Sequence, residues 1–136
     1  MGHKIYLSGP LFSQAEVDWG KQILVLLQER LKGIEILWPH EMAAGSPEEI
    51  FKANLQALEE CDLMVAILDG SQVDDGTAWE IGYFFSQGKS VLGIRTDSRR
   101  AGEHEQSRVN LMIECSCLVV VDGEDRLIAE LCRLIV

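Results

Sequence analysis

The chain has 136 residues, which suits a single domain over residues 1–136 and is enough to bury a core. Its 12 Lys and Arg against 22 Asp and Glu give a formal charge of −10, so it lacks the basic surplus that a nucleic-acid or anionic-membrane partner requires. No apolar run approaches the roughly 20 residues of a membrane span and no apolar signal region precedes the first strand-like run, so we expect a soluble cytoplasmic protein.

Five short runs, most of them apolar on both sides, are typical of buried parallel strands, at about 4–8, 34–38, 63–68, 90–95 and 117–121. Helical patterns alternate with them at about 14–31, 47–60, 77–87, 108–114 and 124–134. Strict alternation predicts right-handed crossovers and an α/β fold, a single-domain flavodoxin-like, five-stranded parallel sheet with helices on both faces. The polar segment 96–107 is expected to form a loop that could cover a site.

The cysteines lack the paired C-x-x-C spacing of a zinc site, and each lies in or beside an apolar run. They are Cys61, Cys115, Cys117 and Cys132. We therefore expect buried free thiols, which suits a reducing cytoplasm. The three histidines are scattered without spaced carboxylates or thiols, so the sequence predicts no metal site and no cofactor.

The most informative segment is 74–82, Asp-Asp-Gly-Thr-Ala-Trp-Glu-Ile-Gly, which follows the third strand and begins a helix. Glu80 is thereby placed at the carboxyl end of a strand, where open α/β sheets bind ligands, and in a first helical turn, which favours negative charge. An ionised, partly buried carboxylate can act as a nucleophile. Thr77 followed by Glu80 also fits a capping box, the interpretation that the pattern alone favours.

This segment, with Asp69-Gly70 before it and Gly88-Lys89 after it, resembles the signature of the nucleoside 2-deoxyribosyltransferase family. Residues 5–10, Ile-Tyr-Leu-Ser-Gly-Pro, and 109–112, Val-Asn-Leu-Met, agree with it in order and spacing, so the resemblance covers nearly the whole chain. It implies that Glu80 attacks the anomeric carbon of a 2-deoxynucleoside and carries the sugar as an ester. A second free base then takes the sugar, with retention of configuration.

The same resemblance assigns roles near the first strand. It implies that Tyr6 hydrogen-bonds and orients the nucleophile, and that Ser8 and Gly9 lie in a loop that approaches the substrate. The competing interpretations are a packed strand aromatic for Tyr6 and an ordinary turn for the loop.

Asp74 lies six residues before Glu80, the position from which the family's transferases contact the sugar hydroxyls. A related branch, nucleotide N-glycosidases that hydrolyse deoxynucleoside 5′-monophosphates, favours a small hydroxyl residue near there. A carboxylate accepts a hydrogen bond from a 5′-hydroxyl and repels a 5′-phosphate, so Asp74 points to a free nucleoside. Asp75 is expected to face elsewhere, as a solvated turn residue.

Asn110 matches a residue that family members insert into the neighbouring subunit's site, which implies a homo-oligomer with shared active sites. A helix N-cap is the alternative for Asn110. Met112 is a further candidate for substrate contact, although core packing is its commoner use. Asn54 stands where some members carry an aspartate that handles the proton of the departing base. An amide can hydrogen-bond a base edge but is no general acid, so the route of that proton stays open.

The only basic cluster consists of Arg95, Arg99 and Arg100. It would favour a nucleotide substrate if it bound phosphate, whereas pairing with Asp97 or Glu103 in a solvated loop is the competing interpretation.

Trp38 and Trp79 offer planes on which a base can stack, against a default of buried packing. The predicted function is therefore transfer of 2-deoxyribose between a nucleoside and a free base. Hydrolysis of the same bond is the alternative, and a non-catalytic nucleotide sensor is a third. Base preference is not readable from the sequence.

Overall fold

A parallel sheet forms the centre of the structure, a computed structural model that describes residues 2–42 and 44–136. Its strands are β1 (Lys4–Ser8), β2 (Glu35–Leu37), β3 (Leu63–Ile67), β4 (Ser90–Ile94) and β5 (Val119–Val121). They pair in parallel in the order β2-β1-β3-β4-β5, which is the flavodoxin-like order expected from the sequence. The strands β2 and β5 are shorter than expected because each is an edge strand with one neighbour.

Helices follow each strand. They are α1 (Gln14–Arg30), α2 (Pro47–Glu60), α3 (Asp75–Ser86), α4 (Leu111–Ser116) and α5 (Glu124–Ile135), with a 3₁₀ turn at Pro39–Glu41. Complete capping boxes begin α1 and α2, because Ser13 and Ser46 accept from the backbone N–H groups of Glu16 and Glu49, whose carboxylates bond back to the serine N–H groups.

The start of α3 differs from the expectation. Asp74 is its N-cap, and Asp74 Oδ2 accepts from the backbone N–H of Thr77 at 2.9 Å. The helix therefore begins two residues earlier than predicted, and Glu80 lies in its second turn. Both the capping box between Thr77 and Glu80 and the first-turn dipole argument for Glu80 are wrong. The side chain of Glu80 is thus free to serve another purpose.

The alternation of side chains along β1 assigns its residues to two cores. Ile5 and Leu7 pack in the core beneath α1 and α5, whereas Tyr6 packs on the opposite face, in the core beneath α2 and α3. The central strand β3 is buried throughout, as the unbroken apolar run predicted. The face of β1 that carries Tyr6 is therefore the face covered by α3.

The loop after β4 is fixed by Arg95, whose side chain is only 2% exposed. Its guanidinium donates to the backbone carbonyls of Leu68 and Arg99, so it cannot belong to a solvent-facing phosphate site. Arg99 pairs with Asp97, with 2.6 Å between Nη2 and Oδ2, as the loop interpretation expected. The basic cluster that the sequence suggested is therefore not formed.

The cysteines are free, but two of them are not buried. Cys61 is buried and Cys117 partly buried, and burial raises the pKa of each thiol to about 12. Cys115 and Cys132 are exposed, which corrects the expectation, because they lie on the outer sides of α4 and α5. No helix in the described part of the chain combines the length and apolar character needed to span a bilayer.

Candidate active site

The carboxylate of Glu80 is held by two hydroxyl groups from β1. The phenol of Tyr6 donates to Glu80 Oε2, and the hydroxyl of Ser8 donates to Oε1 at 2.6 Å. Tyr6 is fully buried and Ser8 is 1% exposed. Being two residues apart on a strand, both side chains point to the same face, where α3 presents Glu80. Each carboxylate oxygen is therefore fixed by its own donor.

Part of this arrangement was missed from the sequence. Tyr6, in the middle of β1, makes the contact with Glu80 that the family resemblance implies. Ser8 was expected in a substrate-facing loop, yet it is the last residue of β1 and contacts Glu80. The period-two spacing of Tyr6 and Ser8 was the signal that could have found this second donor.

Opposing interactions set the ionisation of Glu80. Burial raises the pKa of Glu80, the hydrogen bonds from Ser8 and Tyr6 lower it, and the nearby charge of Asp74 raises it again, with a net increase. Burial, together with the negative charge and hydrogen bond of Glu80, also raises the pKa of Tyr6. The phenol consequently stays protonated and remains a donor to the carboxylate.

A cavity of about 500 Å³ opens beside Glu80. Its lining comes from α2 and α3, namely Phe51, Asn54, Leu55, Leu58, Asp75, Gly76, Trp79 and Glu80. Trp79 is 51% exposed and stacks on Tyr83, at 5.4 Å between ring centroids. Asp75 is exposed, as the solvated-residue interpretation expected, but as the first residue of α3 it also lines the cavity and does not face away from it. The space has the size and apolar walls suited to a planar ligand.

Trp38, unlike Trp79, has no exposed ring face on which a base could stack. Trp38 is buried in the core, where a Cβ on Gly20 would come within 2.9 Å of its ring, so it offers no stacking plane. Gly9 is also explained by packing, since a Cβ there would lie 3.0 Å from Cβ of Ile67. Close approach of Gly9 to a substrate remains a prediction.

Asp74 and Asn110 both cap helices. Asp74 Oδ2 accepts from the backbone N–H and the hydroxyl of Thr77, at 2.9 and 3.0 Å. Asn110 is the N-cap of α4, with Oδ1 accepting from the N–H of Met112 at 2.9 Å. Asn110 also lines a small cavity with Gln72 and Val73, just before Asp74 in the chain. A contribution of Asn110 to a neighbouring subunit remains a prediction.

Met112 is 70% exposed, so the core-packing interpretation is wrong, and its contact with substrate remains a prediction. The described residues contain no group of three or more His, Cys, Asp or Glu side chains arranged to hold a metal ion.

Removal of either hydroxyl should raise the pKa of Glu80 further, because each donor stabilises the ionised form. Titration of the Glu80 side-chain carboxyl by ¹³C NMR, assigned with Glu80→Gln, measures this in Ser8→Ala and Tyr6→Phe. Ser86→Ala removes a hydroxyl that donates to a backbone carbonyl on the same helix, and it should leave the value unchanged. If the pKa of Glu80 is unchanged in both Ser8→Ala and Tyr6→Phe, the two hydroxyl groups do not stabilise the ionised carboxylate, and the described hydrogen bonds are contradicted.

The family model for nucleoside 2-deoxyribosyltransferase matches residues 5–112. The putative 2′-deoxynucleoside 5′-phosphate N-hydrolase 1 of Thermofilum pendens is 31% identical over 104 residues, which cover 71% of this chain and 70% of that protein.

Two solved structures are similar over nearly their whole length. The conserved protein from Enterococcus faecalis V583 has a TM-score of 0.84 at 30% identity, and the matched region covers 98% of this chain and 99% of that protein's chain. The 2-deoxyribosyltransferase from Bacillus psychrosaccharolyticus has a TM-score of 0.75 at 25% identity, and the matched region covers 91% of this chain and 89% of that enzyme's chain. The chain belongs to the nucleoside 2-deoxyribosyltransferase family, whose enzymes act on the glycosidic bonds of nucleosides.

Proposed function

We propose that this protein transfers a 2-deoxyribosyl group between nucleobases through a covalent intermediate on Glu80. The observation that carries the proposal is a carboxylate with both oxygens held by buried hydroxyls at the wall of a largely apolar cavity. A carboxylate fixed in this way is positioned for in-line attack without further ordering. Such base exchange would serve nucleoside salvage in the cytoplasm, where the exposed thiols of Cys115 and Cys132 remain reduced.

In the first half of the reaction, one oxygen of Glu80 forms a bond to C1′ while the C1′–N bond breaks and its electron pair leaves with the base. The other oxygen becomes the carbonyl of the ester and keeps its hydroxyl donor, so the ester stays oriented. A ring nitrogen of a second base then attacks C1′, releases the carboxylate and loses its proton, which balances the proton that the departed base takes up. Two inversions at one carbon restore the original configuration.

Transfer is favoured over hydrolysis by the walls of the cavity. Phe51, Leu55, Leu58 and Trp79 offer an apolar surface to a base and few hydrogen-bonding partners to a water molecule. Hydrolysis is the second candidate, because a 31% identical relative is a putative N-hydrolase. The two reactions share the intermediate and differ in what attacks it.

Asp74 supports a free nucleoside as the substrate. The negative charge of Asp74 contributes to the raised pKa of the Glu80 nucleophile. Oδ2 serves the cap of α3, whereas Oδ1 has no hydrogen-bond partner among the described residues and is available to a sugar hydroxyl. A 5′-phosphate in the same place would meet a like charge.

A homo-oligomer with shared sites is also part of the proposal. Asn110 and Met112 are exposed at the start of α4, and the exposed side chains of Phe85 and Leu118 border a cavity at the other end of this helix. In a chain with a charge of −10, an uncharged apolar surface is where a second copy can approach without like-charge repulsion.

Incubation with a 2′-deoxynucleoside and a different free base, followed by chromatography, tests the reaction. The expected result is a new deoxynucleoside formed from the added base, with no product from Glu80→Gln. Free deoxyribose without a new nucleoside would replace transfer by hydrolysis. Absence of any reaction across purine and pyrimidine donors would favour a non-catalytic protein and contradict the proposal.

Asp74→Asn keeps a capping side chain and removes the charge. A phosphate about 4 Å from the Asp74 carboxylate is repelled by roughly 4 kcal/mol per unit charge at an effective dielectric near 20. Wild-type kcat/KM should therefore be higher for a deoxynucleoside than for its 5′-monophosphate by about tenfold or more, and Asp74→Asn should reduce this ratio. Asp125→Asn, a loss of charge in the first turn of α5, is the matched control. A wild-type protein with a higher kcat/KM for the 5′-monophosphate than for the deoxynucleoside would contradict this role of Asp74.

Mixing two inactive variants tests the shared site. Asn110→Ser retains a capping hydroxyl while it removes the carboxamide, and Glu80→Gln removes the nucleophile. If each site combines Glu80 of one subunit with Asn110 of another, randomly mixed dimers should recover about a quarter of wild-type activity, because half are mixed and one of their two sites is intact. Light scattering that finds a monomer, or no recovery after proven subunit exchange, contradicts the proposal.

A further inference from the structure

Three of the side chains that line the 500 Å³ cavity can accept a hydrogen bond from a ligand's polar edge: Asn54, Asp75 and Glu80. The indole N–H of Trp79 can only donate. Glu80 is committed to Tyr6 and Ser8 and, in the proposed function, to C1′ of the sugar. Asn54 and Asp75 are therefore the two acceptors left for the polar edge of a base in the cavity. These two residues lie on opposite walls, on α2 and α3 respectively.

Asp75 has a free carboxylate. Neighbouring acidic side chains are used within the protein: Asp74 caps α3, and Asp69 accepts from the backbone of residues 96 and 97. No hydrogen bond or ion pair engages the Asp75 side chain among the residues that the structure describes. An acceptor with no internal partner at the wall of a cavity is available to a ligand.

Trp79, an aromatic side chain on which a base can stack, lies one helical turn from this carboxylate on α3. Asp75, Trp79 and Tyr83 follow one another at intervals of four residues and so lie on one side of the helix. Tyr83 stacks on one face of the Trp79 indole, with 10° between the ring planes. The Phe51 ring of α2 meets the Trp79 indole edge-on, at 6.0 Å between ring centroids, so Phe51, Trp79 and Asp75 border the same cavity. A base bound against Trp79 in this cavity would lie within one helical turn of the Asp75 carboxylate.

We infer that Asp75 selects adenine and cytosine, which carry an exocyclic amino group, over hypoxanthine and uracil, which carry a carbonyl oxygen at the same position. An ionised carboxylate only accepts hydrogen bonds, so it pairs with an amino group and repels a carbonyl oxygen at the same position. Asn54 does not discriminate, because its amide presents a donor or an acceptor according to its orientation. The inference rests on the proposed function, in which this cavity holds the base.

Matched pairs that differ only in the amino or oxo group test the inference. Deoxyadenosine is compared with deoxyinosine, and deoxycytidine with deoxyuridine, by kcat/KM as sugar donors. The wild type should prefer the amino member of each pair that it accepts, and Asp75→Asn should lower that preference by about tenfold, since a hydrogen bond to a charged group is lost. Asp125→Asn removes a comparable first-turn charge from α5 and should leave the preference unchanged.

A purely structural role of Asp75 at the helix start would lower the melting temperature without changing the preference. Equal use of both members by the wild type, or a preference that survives in Asp75→Asn, overturns the inference. Calorimetry with free adenine and hypoxanthine gives the same comparison without turnover. If adenine binds more tightly and Asp75→Asn removes the difference while no nucleoside reacts, the proposed function fails and the base selection stands.

Discussion

The site depends on keeping a buried carboxylate ionised. Burial disfavours the charge of Glu80, and the charge of Asp74 disfavours it further, so the protein must supply donors to the carboxylate. Two residues of β1 do so from one strand face, and the burial of Tyr6 keeps its phenol protonated. The sheet order makes this possible, because β1 lies next to β3, whose following helix carries Glu80.

Three acidic residues at the start of α3 differ in position and contacts. Asp74 caps the helix with one oxygen, Asp75 begins it and faces the cavity, and Glu80 follows one turn later beneath the hydroxyls of β1. Three carboxylates thus lie within seven residues without a metal ligand set among the described residues. In the proposed function, this spacing provides an acceptor for the sugar in Asp74, the nucleophile in Glu80 and an acceptor for the base in Asp75.

The sequence was sufficient to predict the five-stranded parallel sheet, because apolar runs that alternate with helical patterns are compatible with few topologies. It also paired Tyr6 with Glu80 through the family resemblance. It did not predict the contact of Ser8, the orientation of Asp75 or the burial of Arg95, since all three depend on where an element begins or ends. A shift of two residues at the start of α3, caused by the Asp74 cap, was enough to place Glu80 in the wrong turn.

The central claim is that Glu80 becomes covalently attached to the sugar, and trapping of that ester tests it most directly. A 2-deoxy-2-fluoro nucleoside slows release of the sugar, because fluorine withdraws electrons from the oxocarbenium-like transition state. Mass spectrometry of the digested protein should find one sugar adduct, on the peptide that contains Glu80, and none in Glu80→Gln. An adduct on another residue, or continued turnover by a correctly folded Glu80→Gln protein, would contradict the account.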